Sequence, residues 1–275
     1  MADVKSRSGD DWRVIWDDAA PGAWNMAVDE AILAAHGRGE SPPTLRFYGW
    51  LPPALTIGYF QKVEKQVDLE GCRRAGVDMV RRPTGGRAVL HHHEVTYSVV
   101  VRNSILPGSV EETYLALSQG LARGLASLGI PVDMVPAGRA QSSGAACFDA
   151  PSSYELSVGG RKLVGSAQCR AHGALLQHGS VLLKFEPDRL ASLLRFSSEK
   201  ARLRAARLLE GQAVGINQTG AGEFTFDQVA RSLRRGLEEA WDLKMQTGEL
   251  TPGEYDTAHQ LLRDKYGTDT WNMRR

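Results

Sequence analysis

The feature that most constrains the fold is a series of short β-prone segments that are separated mostly by turns. Trp12–Trp16 alternates apolar and polar residues, and Thr44–Tyr48 and Ala54–Gly58 follow with GWLPP between them. The pattern lacks the strict alternation of strand and helix that an all-parallel sheet requires. The sequence therefore predicts an α+β fold, with mixed or antiparallel sheets flanked by helices.

Further strands are predicted later in the chain. Two consecutive glycines, Gly159 and Gly160, favour a tight turn, so the segments on either side of them form a hairpin. The run TYSVVV, which ends at Val101, is strongly β-prone. Beyond the first three, the predicted strands are Val77–Arg81, part of Arg87–Val101, Tyr154–Ser157, Arg161–Ala167 and Leu175–Lys184.

Apolar residues at helical spacing predict several helices, of which Gly108–Leu128 is the longest. Ser109 is a suitable N-cap for that helix, and Gly129 and Pro131 end it. The other predicted helices are Ala23–Ala35, Gln66–Ala75, one near Pro187–Arg195, Phe226–Leu243 and Glu254–Tyr266. The predicted organisation is a disordered tail at residues 1–10, a core domain at 11–200 and a mainly helical extension at 201–275 packed on that core.

Charge and cysteine content narrow the class of protein. A net charge of +1 over 275 residues provides no global field for nucleic acid or an anionic membrane. Three cysteines without a CxxC pair argue against a disulfide framework or a structural zinc site, and favour a reducing compartment. The N-terminus lacks the apolar region of a signal peptide, and no apolar run approaches the ~18 residues of a membrane span. We therefore expect a cytoplasmic protein that binds neither nucleic acid nor a membrane.

A glycine pair at residues 85 and 86 is the first candidate for a binding loop. Thr84, Gly85 and Gly86 lie between two β-prone runs, and Arg82 and Arg87 flank them. Paired glycines let backbone N–H groups approach a ligand, and guanidinium groups suit an anionic or carbonyl oxygen. A glycine pair between strands is more often a plain turn, and the segment matches neither a Walker A loop nor GxGxxG. Alone it is a weak indication of substrate binding.

Three consecutive histidines, His91, His92 and His93, raise the question of a metal site. Successive side chains of a regular strand point to opposite faces, so three adjacent rings cannot all meet one ion. We therefore expect no metal to bind. One histidine, for which His91 is the candidate, is expected to face the functional site, and the other two to be solvated.

Cys147 is the strongest candidate nucleophile among the cysteines. It follows a small, polar segment, Gly138–Ala146, that is predicted to be a flexible loop. A free cysteine is more often a small buried hydrophobe. That interpretation suits Cys72, in a helix-like segment, and Cys169, at the end of a strand, better than it suits a cysteine in a polar loop.

Lys162 is the candidate partner of this cysteine, because one hairpin turn separates the two in sequence. A hairpin lysine is usually a solvated surface charge. If it lies near Cys147, its ammonium group favours the thiolate. An ordinary cysteine, with a pKa of about 8.5, is only a few per cent thiolate at pH 7, so the reactive fraction could rise by more than about tenfold.

Small residues mark two further candidates for a ligand-binding surface. Gly165, Ser166 and Ala167 are small enough to admit a ligand beside the strand that carries them. His178 and Gly179 interrupt the last β-prone run, where an interior glycine often marks the close approach of a ligand or another backbone. A structural role for His178 is an equally good interpretation.

Four of these segments, in this order, resemble one superfamily. NMAVDEAI, RRPTGGRAVLHHHEVTYS, GRKLVGSAQ and LLQHGS are similar to segments of the biotin/lipoate protein ligase and octanoyltransferase superfamily. The resemblance runs from about Trp12 to Phe196, and it is specific because order and approximate spacing match as well as the segments themselves.

Within that superfamily, ACFDAPSSYEL and Arg87 look most like the octanoyl-acyl-carrier-protein:protein octanoyltransferases of the Gram-positive type. In that family the cysteine matching Cys147 forms an acyl-thioester intermediate, and the lysine matching Lys162 lowers the pKa of that cysteine. The resemblance also implies that the TGGR, GSA and HGS segments line the acyl pocket. His92 departs from the family, which usually has aspartate there, so the role of that position stays open.

The resemblance implies the partners as well as the residues. The donor is octanoyl-acyl carrier protein, the acceptor is a lysine of a lipoyl domain or of glycine-cleavage H protein, and the enzyme is a monomer. No cofactor is needed, because an acyl thioester is already activated. A neutral Lys162 could take the proton of the acceptor amine, and backbone N–H groups near the glycines could bind the oxyanion.

Three other functions remain open at this point. An ATP-dependent lipoate-protein ligase would need no cysteine nucleophile, so it would tolerate Cys147→Ala and require ATP. An octanoyl amidotransferase would use the same kind of cysteine but take its acyl group from another lipoyl-bearing protein. A non-catalytic module would bind the acyl group without forming a covalent adduct.

Overall fold

The computed structural model describes residues 11–135 and 155–274. Cys147, the predicted loop Gly138–Ala146 and the predicted tail at residues 1–10 lie outside the described residues. The strands are β1 (Trp12–Trp16), β2 (Thr44–Tyr48), β3 (Ala54–Ile57), β4 (Asp78–Arg81), β5 (Val89–His91), β6 (Glu94–Arg102), β7 (Asp133–Val135), β8 (Glu155–Val158), β9 (Arg161–Ala171), β10 (Ala174–Leu182) and β11 (Met245–Thr247).

The helices lie around these strands. They are α1 (Gly22–Arg38), α2 (Val63–Gln66), α3 (Leu69–Arg74), α4 (Val110–Ser127), α5 (Pro187–Ser192), α6 (Glu199–Gln212), α7 (Phe226–Trp241), α8 (Pro252–Leu261) and α9 (Asp269–Asn272). A 3-10 turn, Ile216–Gln218, follows α6, and a π-helical turn, Leu262–Tyr266, continues α8. In the described ranges, no helix has the length and apolar content needed to cross a membrane.

The strands form two mixed sheets. The large sheet has the order β11-β1-β2-β6-β10-β9-β8-β7, in which β1 is parallel to both neighbours and the pairs from β2 onward are antiparallel. The small sheet has the order β4-β3-β5, with β4 parallel and β5 antiparallel to β3. The predicted α+β class with mixed sheets is confirmed.

The main hydrophobic core joins residues that are far apart in sequence. Val14, Phe47 and Leu175 of the large sheet share one buried cluster with Leu121 of α4 and Leu237 of α7. Because α7 and β11 contribute to this cluster and to this sheet, the C-terminal residues help to build the core. The boundary between core and extension at residue 200 stays a prediction.

Most predicted elements are found within one to three residues of their predicted ends. The Ser109 cap of α4 is confirmed, since its side chain accepts a hydrogen bond from the N–H of Glu112 while the Glu112 carboxylate accepts the N–H of Ser109. Gly159 and Gly160 form the predicted tight turn, with φ of 55° and 73°.

The helix predicted at Gln66–Ala75 is found as α3, but it begins three residues later than predicted. Val67 has an extended backbone and pairs with Leu194, and the Asp68 side chain then caps α3 by accepting the N–H of Gly71. The short helix α2, which precedes Val67, was not predicted. The sequence analysis also missed the short strands β7 and β11 and the helix α6.

Candidate active site

A cavity lies between the two sheets, and its walls come from segments that are distant in sequence. About 370 Å3 of space lies within it when its open mouth is included. The small sheet contributes Thr56 and Val89, and α1 contributes Met26. The residues that the sequence predicted and that line the cavity are Arg82, His91, Gly165, Ser166, Ala167, His178 and Gly179.

Asp29 lies behind one wall of this cavity, in contact with the lining residue His178. Its side chain is fully buried on α1. One carboxylate oxygen accepts hydrogen bonds from Arg46 and Ser98, both at 2.9 Å, and the other accepts from Tyr48 at 2.9 Å and His178 at 3.2 Å. Burial alone would raise the pKa of Asp29, but the His178 hydrogen bond and the Arg46 charge hold that pKa below its usual value. Asp29 is therefore a fixed negative charge that orients its neighbours.

His178 connects Asp29 to the glycine-pair loop. Its Nδ1 contacts Asp29, and its Nε2 lies 2.7 Å from the hydroxyl of the buried Thr84. Burial lowers the pKa of His178 more than the Asp29 carboxylate raises it, so the ring is neutral near pH 7. The tautomer that satisfies both contacts donates from Nδ1 to Asp29 and accepts the Thr84 hydroxyl proton at Nε2. His178 thus fixes the rotamer of Thr84 as well as lining the cavity.

Arg82 organises the glycine-pair loop from inside. Its guanidinium donates hydrogen bonds to the carbonyl oxygens of Gly85 at 2.7 Å and Arg87 at 2.8 Å, and to the Thr56 hydroxyl at 3.1 Å. Gly86 has φ of +90°, a conformation that favours glycine. Arg82 was predicted to bind a substrate oxygen; its observed contacts also make it the residue that sets the loop's shape. Arg87 is half-buried at the end of this loop.

The backbone of Gly58 packs against the same loop. A Cβ added at Gly58 would lie 1.9 Å from the carbonyl oxygen of Gly86, and the N–H of Tyr59 donates to the carbonyl of Thr84 at 2.9 Å. The segment after β3 is therefore in direct backbone contact with the loop that borders the cavity.

His91 is the one of the three histidines that faces the cavity, as predicted. Its ring stacks on Trp50 with centroids 4.0 Å apart, its Nε2 lies 2.8 Å from the Thr56 hydroxyl, and its Nδ1 lies 2.5 Å from the buried Glu94 carboxylate. These contacts fix the orientation of the ring. Trp50 and Glu94 were not among the site residues predicted from the sequence.

His92 and His93 lie in a bend between β5 and β6 rather than in a regular strand. Their rings approach to 3.7 Å between centroids, and both lie near Glu186, so these three side chains could present one ligand atom each to an ion. Because His92 and His93 are not in a regular strand, the alternation of strand faces does not keep their rings apart. Arg189 and Lys184 already contact Glu186 or His92, and these cations compete with a metal for the same atoms.

Small residues on β9 and β10 form the floor of the cavity. Ser180 pairs with Gly165, and His178 pairs with Ala167, so these four residues share one face of the sheet. On the opposite face, the Ser166 hydroxyl lies 2.7 Å from the hydroxyl of Tyr97. A Cβ at Gly179 would lie 2.6 Å from the Gly165 carbonyl oxygen, so glycine is required by the close approach predicted there.

A β-bulge determines where Lys162 points. Leu156 pairs with Val164 but the next residue, Ser157, pairs with Lys162, which leaves Leu163 as the extra residue. Because of that extra residue, Lys162 lies on the same face of β9 as Gly165, which is the face toward the cavity. Without the bulge, Lys162 would share the face of Val164 and point into the main core.

Lys162 is buried, contrary to the usual solvated position of a hairpin lysine. Its side chain is 7% exposed, and its ammonium lies 2.5 Å from the carboxylate of Glu155, which is equally buried. Glu155 begins β8, eight residues after Cys147 in sequence. Glu155 lies in the segment ACFDAPSSYEL, and no role was predicted for it. The sequence signal that could have identified it is a carboxylate seven residues before the candidate lysine, across a predicted hairpin.

The other two cysteines are poor nucleophiles. Burial raises the pKa of Cys72 to about 11 and that of Cys169 to about 12, so at neutral pH both are thiols. This agrees with the low weight that the sequence gave them.

Comparisons with known proteins agree on one family. The model of the lipoyl protein ligase A/B catalytic domain matches residues 21–238. The octanoyltransferase LipM of Kyrpidia tusciae is 49% identical over 272 residues, covering 96% of this chain and 99% of its own length. The octanoyltransferase LipM of Bacillus subtilis is 40% identical over 273 residues, covering 96% of this chain and 98% of its own.

Solved structures of lipoate-protein ligases have the same fold. A bipartite lipoate protein ligase from Thermoplasma acidophilum superposes with a TM-score of 0.79 at 26% identity, covering 96% of each chain. A lipoate-protein ligase A bound with ATP gives a TM-score of 0.78 at 25% identity, covering 96% of this chain and 98% of that one. The identity to octanoyltransferases is thus much higher than the identity to these ligases.

Proposed function

We propose a route for acyl transfer from the premise that this chain belongs to the lipoyl protein ligase A/B catalytic domain family and, within it, to the LipM octanoyltransferases. The chain is therefore an acyltransferase that moves octanoyl groups in lipoate biosynthesis. In the proposed route, octanoyl-acyl carrier protein is the donor and Cys147 carries the octanoyl group as a thioester. A lysine of a lipoyl domain or of glycine-cleavage H protein is the acceptor.

The octanoyl chain is proposed to occupy the cavity between the two sheets. Apolar side chains of Met26, Trp50 and Val89 line it, and the small residues Gly165 and Ala167 leave room for the alkyl chain. The acyl carbonyl then lies near the loop at Gly85 and Gly86, whose backbone N–H groups are candidates to stabilise the oxyanion. Arg82, Thr84, Arg87, His91, His178 and Gly179 are proposed to shape this substrate site.

The first transfer is an exchange between two thioesters. The Cys147 thiolate attacks the donor carbonyl, and the bond from carbon to the donor sulfur breaks. The donor leaves as a thiol after taking a proton from the Lys162 ammonium, which becomes the neutral amine that the second transfer requires. The observation that carries the proposal is Lys162, a buried cation that lies on the cavity face of β9 and is ion-paired to Glu155. Because Glu155 anchors the ammonium, Lys162 can favour the thiolate without itself having solvent contact.

The second transfer forms the amide. The neutral amine of the acceptor lysine attacks the Cys147 thioester, the new C–N bond forms, and the sulfur leaves as a thiolate. The amine must lose a proton in this step, and Lys162, in its neutral form, is proposed to take it directly or through water. Neither step consumes a nucleotide, since the donor thioester is already activated. We further propose that the enzyme acts in the cytoplasm as a monomer.

The experiment is intact-mass spectrometry after mixing the protein with octanoyl-acyl carrier protein in the absence of an acceptor. We expect one octanoyl adduct that peptide mapping locates on Cys147, no adduct in Cys147→Ala, and acylation at least about tenfold slower in Lys162→Ala. Cys72→Ala is the matched control and should keep the full adduct.

Each competing function predicts a different outcome. A lipoate-protein ligase would show no adduct, would keep activity in Cys147→Ala and would need ATP. An amidotransferase would form the adduct from an octanoylated lipoyl domain in preference to the carrier protein. A binding module would release unmodified octanoyl-acyl carrier protein. Unchanged turnover in Cys147→Ser would contradict the proposed route outright.

A further inference from the structure

An exposed surface beside the cavity combines an aromatic side chain with several cations. Phe60 is 82% exposed, and it lies two residues before the exposed Lys62. Lys62, Lys65 and Arg274 line one open depression, together with Met273. We call Phe60, Lys62, Lys65 and Arg274 the basic-aromatic surface. Glu64 is the acidic residue that also lines this depression.

The basic-aromatic surface is continuous with the glycine-pair loop. Tyr59, next to Phe60, donates its N–H to the carbonyl of Thr84, and the backbone of Gly58 packs directly on Gly86. The backbone that carries Phe60 is therefore in contact with the glycine-pair loop at the edge of the cavity. Arg82, at the start of that loop, lines the cavity.

Arg81 makes this surface rigid. Its buried guanidinium donates to the carbonyl oxygens of Gly58 at 2.8 Å and Gln61 at 2.9 Å on one side, and of Arg274 at 2.8 Å on the other. One side chain thus fixes the segment around Phe60 against the C-terminal residues. Arg274 in turn donates to the Tyr59 hydroxyl at 2.8 Å and lies over the Tyr59 ring. A preorganised surface of this kind loses little entropy on binding.

The charges of this surface are available to a partner. In the ranges that the structure describes, no carboxylate lies within ion-pair distance of Lys62 or Lys65, and both side chains are exposed. The pKa of Arg81 is lowered first by burial and then by the positive charge of Arg274, which lies close to it. Aromatic residues, methionine and arginine are enriched at protein interfaces, and Phe60, Met273 and Arg274 belong to these classes.

We propose that the basic-aromatic surface is the docking site of the acyl donor, an acidic carrier protein that presents its thioester on a long flexible arm. The inference rests on the proposed function and extends it to the donor's binding site. The donor has to thread its acyl chain into the cavity, so its docking face must adjoin the loop at the cavity edge. The acceptor lysine only has to reach the Cys147 sulfur. Complementary charge would mainly accelerate encounter and orient the arm.

The experiment compares two donors that carry the same acyl group. Octanoyl-acyl carrier protein can use the docking surface, whereas octanoyl-pantetheine has the thioester without the protein. The variants are Phe60→Ala and the double charge reversal Lys62→Glu with Lys65→Glu. Lys244→Glu is the matched control, because Lys244 is an exposed lysine beside β11, at the far edge of the large sheet from the cavity strands.

With the carrier-protein donor, we expect each surface variant to raise KM for the donor about tenfold, which corresponds to about 1.4 kcal/mol, while kcat changes little. With octanoyl-pantetheine, the same variants should match the wild type, as should Lys244→Glu with either donor. The donor KM of the wild type should also rise with ionic strength, because salt screens exposed charges.

Three results would overturn the inference: an unchanged KM for the carrier-protein donor, an equal loss with both donors, or an increase confined to the KM of the acceptor. The last result would assign the surface to the acceptor. Failure of the proposed function is distinguishable, since it would appear in the wild type as the absence of a Cys147 adduct with either donor.

Discussion

At the scale of single residues, Asp29 shows how a buried charge organises a site that it does not itself occupy. Its carboxylate accepts hydrogen bonds from four donors, which lie on β2, β6 and β10. Among these donors, His178 has the largest effect on the site, because its ring also contacts Thr84 in the glycine-pair loop. In its neutral form, His178 accepts the Thr84 hydroxyl proton at Nε2.

The neutral, buried state of His178 predicts a pH dependence of stability. Its pKa is lower in the folded protein than the ordinary 6.5, so between the two values the unfolded chain binds more protons. The contribution of His178 is therefore fully present above pH 6.5 and is lost as the pH falls below it. In His178→Gln, we expect a shallower decrease of the free energy of unfolding from pH 6.5 to pH 5, by at most about 1.4 kcal/mol per pH unit.

Urea unfolding at several pH values measures this slope. His93, whose pKa is also lowered by burial and by the neighbouring His92, contributes in the same direction to both proteins and cancels in the comparison. His172→Asn is the control: it removes an exposed histidine with φ of +54°, a backbone conformation that asparagine tolerates. Equal slopes in His178→Gln and the wild type would contradict the prediction.

At the scale of elements, the contact between α4 and α7 decides how the C-terminal part joins the core. Gly120 and Gly124 on α4 face Ser232 and Gly236 on α7, so the two backbones approach closely. A Cβ at Gly236 would lie 2.2 Å from the backbone nitrogen of Gly124 and 2.4 Å from the carbonyl of Gly120. The Ser232 hydroxyl donates to the Gly124 carbonyl at 2.8 Å. The glycines therefore serve close packing rather than flexibility.

This packing predicts opposite effects for two glycine substitutions in helices. Gly236→Ala should lower the free energy of unfolding by about 1–3 kcal/mol, because the added methyl group meets backbone atoms that cannot move independently. Gly211→Ala in α6 should instead be neutral or stabilise by up to about 1 kcal/mol, since nothing lies within 4 Å of its added Cβ. Chemical denaturation of both variants tests the pair; equal effects would contradict this account of the glycines.

At the scale of the whole molecule, the C-terminal residues close over the small sheet. Arg81 ends β4, and its guanidinium bridges the segment after β3 to Trp271, Asn272 and Arg274. The indole of Trp271 donates to the Arg81 carbonyl, and the Asn272 side chain accepts the Arg81 N–H, both at 2.9 Å. The last residues of the described chain thereby hold in place the segment after β3, which contacts the glycine-pair loop.

Deletion of residues 269–275 should therefore affect both stability and catalysis. It leaves the Arg81 guanidinium short of acceptors, and we expect a loss of about 2–5 kcal/mol in the free energy of unfolding, as for a buried charge that loses its partners. Turnover should fall with both protein and small-molecule donors, because the segment that packs against the glycine-pair loop loses its contacts with the C-terminal residues. Deletion of residues 2–10 is the control and should change neither quantity. Wild-type stability in the C-terminal deletion would show that the Arg81 contacts contribute nothing.

The sequence predicted the local elements well because their signals are local. The Ser109 cap, the turn at Gly159 and Gly160, and the alternation in β1 are each set by a few neighbouring residues. The helix predicted from Gln66 begins only at Leu69, because the pairing of Val67 with Leu194 overrides a continuous helical pattern. The family resemblance likewise came from local segments, and it led to the correct fold, enzyme class and acyl group.

What only the tertiary structure decided is how distant residues meet. The sequence by itself determined that the chain builds mixed sheets and carries a glycine-pair loop, a hairpin lysine and a β10 histidine. It did not determine that a bulge turns Lys162 toward the cavity, that Glu155 pairs with it, or that Asp29 holds His178 against Thr84. Side-chain direction in a strand reverses with a single extra residue, and partners up to 149 positions apart depend on the whole sheet order, so no local pattern contains this information.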